Sequence, residues 1–132
     1  MRLTRALRLA LLSVVLGIIV WCGTTSAPII AEHATRLDPP AYYRTWWQDA
    51  MRCTSRARKF EDVEFYVVDG NSFTILALDG KLVDVIGFYD VLQDRIYVAQ
   101  DYKDDAAVVT HEMVHALGVV GHPVQYFDRC GL

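Results

Sequence analysis

His111-Glu112-Met113-Val114-His115-Ala116-Leu117-Gly118-Val119-Val120-Gly121-His122 contains H-E-x-x-H, then glycine three residues on, a second glycine and a third histidine. On an α-helix residues four apart share a face, so His111 and His115 can offer two imidazoles to one ion. Glycine takes positive φ at little cost, so Gly118 can stop the helix and Gly121 can turn the chain back to deliver His122. Three neutral imidazoles with one open position suit a catalytic Zn2+ site better than a closed structural one. Glu112, beside the first ligand, can take a proton from metal-bound water and hand it to a leaving group. The stretch therefore points to metal-assisted hydrolysis, with His111, His115 and His122 as ligands and Glu112 as general base and acid.

In these residues the chain resembles the zincin metallopeptidases, and within them the metzincin-like pattern H-E-x-x-H-x-x-G-x-x-H. His111, Glu112, His115 and Gly118 match position for position. The third histidine stands one residue late, at 122 rather than 121, giving the variant HExxHxxGxxGH. The pattern's methionine turn is absent, since no methionine follows Met113. The resemblance covers the active helix, its turn and a strand before it, a minimal zincin-like arrangement. It implies a cleft bordered by a strand, Arg95–Ala99 or the one before it, whose edge pairs with an extended peptide substrate.

Upstream, Asp104 or Asp105 is the expected N-cap of this helix, which should run from about Asp105 to Leu117. Its apolar positions are read as Ala107, Val108, Val114 and Leu117. Earlier still come strand signals: Val63–Val68 ending at Asp69-Gly70-Asn71, Phe73–Leu78 running to Asp79-Gly80, and Leu82–Phe88 returning. Tyr89–Asp94 reads as a loop and Arg95–Ala99 as a short strand. Asp38-Pro39-Pro40 starts a first helix, in which Tyr43, Trp46, Trp47 and Ala50 form one apolar face, read as core. Arg52, Arg56, Arg58 and Lys59 make its end basic and receive no function. The fold class expected is α+β: a small, mostly antiparallel sheet with an N-terminal helix and a C-terminal active-site helix.

The 132 residues suffice for one domain, with residues 1–31 set apart as an export signal, an alternative lipoprotein anchor, and linker, and 32–132 as the metal-binding domain. Met1–Arg8 is basic and Leu9–Trp21 is apolar and uncharged. Thr25-Ser26-Ala27 offers a cleavage site; Cys22-Gly23-Thr24 offers a lipidated thiol instead, and with it a membrane tether. Ala31–Asp38 reads as linker, with His33 solvated. All 16 acidic residues follow the apolar run, and ten of the 13 basic ones do, so the formal charge beyond it is near −6. That balance argues against nucleic acid as a partner. Substrate identity and oligomeric state are not encoded in any motif, and so short a chain leaves little room for deep specificity pockets.

Cys53 and Cys130 are expected to pair in an oxidising compartment, leaving Cys22 in the signal or under a lipid. Such a bridge fastens the C-terminal tail, and the His122 turn with it, to the first helix. In that tail Tyr126 is either an oxyanion stabiliser or an aromatic packed with Phe127, and Asp128 either an acceptor behind a ligand imidazole or an alternative ligand should His122 point away. The function expected is an exported zinc hydrolase, most simply a metallopeptidase acting on a peptide or protein. The alternatives are a catalytically silent metal-binding module and a cell-envelope interaction protein that docks through the Trp-rich helix.

Overall fold

The computed structural model describes residues 33–77 and 79–132; the expected export segment with Cys22, and Leu78 at the hairpin tip, lie outside them. Six strands and three helices follow one another: β1 (Ala34–Leu37), α1 (Ala41–Thr54), β2 (Glu64–Val68), β3 (Phe73–Leu76), β4 (Leu82–Val85), β5 (Gly87–Asp90), β6 (Arg95–Ala99), α2 (Ala106–Ala116) and α3 (Val124–Cys130). The fold is α+β, as the sequence pattern predicts. One sheet has the order β1-β2-β6-β5, and β3 pairs with β4 in a separate hairpin. Three of the pairings are antiparallel, while β2 and β6 run parallel. A parallel pair needs a crossover, and here the segment carrying β3, β4 and β5 supplies it.

Period-2 alternation sorts the sheet's two faces. Phe65, Ile96 and Val98 point to the helices, where they meet Tyr43, Trp47, Val109 and Met113 in the main core. Val68, Tyr97 and Ala99 point to the hairpin and join Phe73 and Ile75 in a second cluster. β6 is thus covered on both sides, which explains its unbroken apolar run Ile96–Ala99.

Three expectations need correction, and one segment for which no element was expected gains one. The stretch read as linker contains β1, which pairs antiparallel with β2. Strand pairing, rather than an apolar run, holds it there. Helix α1 begins at Ala41 with Pro40 as its cap residue and no side-chain cap bond, not at Asp38. Pro40 biases Pro39 toward extended backbone, so the helix starts only after both. The run Leu82–Phe88 is not one strand. Its first half pairs with β3, the chain breaks at Ile86, and its second half, extended through Asp90, pairs with β6. Finally, the tail beyond Pro123 is helical and carries Phe127 into the core.

Cys53 on α1 and Cys130 on α3 form the expected disulfide, closing 77 residues of chain. On the chain-entropy account a loop of that length contributes roughly 4.5 kcal/mol. The Cys53→Ser, Cys130→Ser double variant should therefore unfold at clearly lower denaturant, by roughly 2–5 kcal/mol, with a steeper slope because the uncrosslinked unfolded chain exposes more surface. An unaltered midpoint would mean that the bond is not formed in the folded protein. The aromatic face of α1 is turned inward, with Trp47 buried and Trp46 half-buried.

Candidate metal centre

Helix α2 starts where Asp105 accepts hydrogen bonds from the N–H groups of Ala107 and Val108, at 2.9 and 3.1 Å. It ends in a Schellman turn. The Gly118 N–H bonds the His115 carbonyl at 2.8 Å, and the Val119 N–H bonds that of Val114 at 3.3 Å. Gly118 (φ +86°) and Gly121 (φ +67°) both occupy the left-handed region that the turn requires. Val109, Met113, Val114 and Ala116 form the helix's buried face. Of the other apolar positions, Ala107 lines the cleft, while Val108 both lines it and packs against the main core.

The turn brings the third histidine back. His111 Nε2 lies 3.0 Å from His122 Nε2 and 3.3 Å from His115 Nε2. One ligand atom from each of the three residues lies within 4.8 Å of the others, so the trio can hold a metal ion. A tetrahedral ion with bonds of about 2.0–2.1 Å sets its ligand nitrogens about 3.4 Å apart, close to the spacing found here. His115 Nδ1 is 2.8 Å from the Val119 carbonyl oxygen, to which only a protonated Nδ1 can bond. That fixes the tautomer and leaves the Nε2 lone pair free, an arrangement usual for ligating imidazoles. Burial, with His115 and His122 nearby, lowers the His111 pKa to about 4; burial likewise lowers that of His115. Both rings are neutral at neutral pH and ready to bind.

Phe127 joins the site without any signal in the sequence. Its ring centroid lies 4.7, 5.5 and 5.1 Å from those of His111, His115 and His122, making it an apolar floor for all three. The disulfide anchors the helix that carries it. Tyr126 is not brought into the cleft: it is half-buried against the core, with the Arg56 guanidinium 5.5 Å from its ring centroid. Packing, not oxyanion binding, is its observed role. Asp128 is exposed, and the acceptor that orients a ligand imidazole is the Val119 carbonyl instead.

Glu112 is buried, with 7 % of its surface exposed. It faces β5, and the Tyr89 backbone N–H donates to its carboxylate. Burial raises its pKa to about 7 against the smaller opposing effect of that hydrogen bond. A raised native pKa favours the metal-free fold fully below the unfolded value of about 4.5, and the gain is lost as pH rises through 7. The shift corresponds to roughly 3 kcal/mol. His111 acts oppositely, its contribution being lost as pH falls through 4. The two nearly cancel between about pH 4.5 and 6.5, so a variant must separate them. In chelated protein, Glu112→Gln should gain stability over wild type as pH rises from 4.5 through 7, and the difference should then level off. Melting temperatures of the pair from pH 4.5 to 8.5 test this; a constant difference contradicts it.

Two arginines that the sequence alone leaves without a role hold the site together. Arg56 donates to the Gly118 carbonyl at 2.7 Å. Arg58 donates to the Ala116 carbonyl at 2.9 Å and to the Tyr89 hydroxyl at 3.2 Å, and pairs with Asp94 at 2.7 Å. These bonds tie the end of α2 to β5. Their basic run is visible in sequence, but the carbonyls it reaches are about 60 residues away. The cleft between α2 and β5 encloses about 1220 Å³, more than the length of the chain leads one to expect. Val91 and Val120 stand exposed on its walls. Compared with known proteins, the chain matches no family model, no curated protein and no solved structure.

Proposed function

We propose that the chain is a small exported zinc-dependent hydrolase, most simply a metallopeptidase cutting extended peptides. The observation that carries this is the convergence of three Nε2 atoms at the spacing a tetrahedral ion needs, with a buried carboxylate from the same helix. Zinc held by His111, His115 and His122 would supply a Lewis acid that polarises a scissile carbonyl and makes water acidic enough to attack near neutral pH. Glu112, the buried carboxylate beside the first histidine on α2, would accept the attacking water's proton and return it to the departing nitrogen.

Strand β5 supports the peptide reading. Ala99 N–H bonds Ile86 C=O at 2.9 Å, and in an antiparallel pair bonding alternates. Gly87 and Tyr89 therefore direct their backbone groups away from β6; the Tyr89 N–H is taken by Glu112, which leaves the Gly87 N–H and both carbonyls toward the edge beside the cleft. An extended peptide can add there as a further strand. Of the two strands considered from sequence it is the one before Arg95–Ala99 that has this edge, since β6 is interior.

Two observations weigh against the alternatives. A disulfide already fastens α3 to α1, so a purely structural metal would add little. The inward-facing Trp47 leaves α1 poorly suited to docking through its tryptophans. The disulfide also fits an oxidising compartment, and among the described residues no helix is long and apolar enough to cross a membrane. Zinc-loaded protein presented with a mixed-sequence peptide library should cleave internal bonds, lose that activity on chelation and regain it with zinc. If loaded protein cuts nothing in the library, the silent metal-binding module becomes the better reading.

A further inference from the structure

We infer that Gly87 is a positioning residue for Glu112: the missing side chain at this point of β5 is the space in which the Glu112 carboxyl group sits. A Cβ built on Gly87 would lie 2.7 Å from Glu112 Oε1, 3.0 Å from Cγ and 3.2 Å from Cδ. The clash spans the side chain from the carboxylate to the carbon near the helix, so turning the last bond alone does not relieve it. Glu112 is buried against β5 but also lines the cleft, so a displaced carboxyl group can move only by turning into the cleft and giving up its present position.

Backbone conformation does not account for the glycine. Gly87 lies outside the positive-φ region, so any residue could adopt its backbone. A glycine inside a strand weakens it and often marks a close approach by another group. Here that group is a carboxylate. Two residues along the strand, Tyr89 directs its backbone N–H at the same carboxylate. One position of β5 makes room and the next of the same parity holds the group in place.

The catalytic part of this assignment rests on the hydrolase reading; the steric part does not. At an unstrained position Gly→Ala ordinarily stabilises a protein slightly by restricting the unfolded chain. Gly87→Ala in the full zinc-loaded chain should instead lower the melting temperature by roughly 5 °C or more. In a Glu112→Ala background the same substitution should be neutral or stabilising. With zinc still bound at one ion per chain, kcat of Gly87→Ala should fall at least roughly tenfold while KM changes less than about twofold. An equal loss of melting temperature in both backgrounds, or an unchanged kcat, overturns the assignment. A zinc-loaded wild type that cleaves no peptide refutes the hydrolase reading, and the paired melting temperatures still decide whether Gly87 makes room for Glu112.

Discussion

Glu112→Gln should lower kcat by roughly 10²–10⁴-fold while the protein still binds one zinc ion per chain. The amide has nearly the shape of the acid, so it fits the gap at Gly87 and can still accept the Tyr89 N–H bond. What it cannot do is take a proton from water and return it to a leaving nitrogen. No ligand atom is touched, because Glu112 stands outside the histidine trio. Metal content, melting temperature and peptide cleavage measured on one preparation separate the possibilities. Cleavage by the variant at the wild-type rate would mean that another group moves the proton. Loss of zinc would mean that Glu112 acts through the metal site's structure.

His122→Ala should weaken zinc binding by two to three orders of magnitude and remove activity with it. Structural sites bind with roughly 10–16 kcal/mol over about four ligands, so each ligand contributes about 2.5–4 kcal/mol. His122 alone comes from outside α2, and it is exposed, so its loss opens no cavity in the core. The fold should survive, with the metal-free melting temperature within a few degrees of wild type. Competition titration against a chromophoric chelator gives the affinity directly. An affinity equal to wild type would show that 111 and 115 hold the ion with some other donor, and the tetrahedral argument would lose its third corner.

Elements set by short-range rules are legible in the sequence. An aspartate cap, a regular apolar period and a terminating glycine are all local signals, and they locate helix α2 to within a residue at each end. Strand β6 has the bounds its residues predict, and Cys53 pairs with Cys130 as their compartment and number suggest. The joint between β4 and β5 is not legible. Leu82–Phe88 looks like one continuous strand, and nothing local to it says that its two halves pair with different partners. The helical tail escapes notice too: seven residues carry too little periodicity to stand out.

The same division runs through the site. Residue type and spacing alone mark out the histidine trio that can hold an ion and the carboxylate beside it, because helical geometry places residues 111 and 115 together and glycine permits the return of 122. What surrounds them is settled only by packing. Phe127 beneath the rings, Arg56 and Arg58 on the end of α2, and the gap at Gly87 join residues that are far apart in the chain. A sequence records which groups an element presents along its own axis. Which other element comes to lie against them depends on how all the apolar faces are buried at once, and only the tertiary structure decides that.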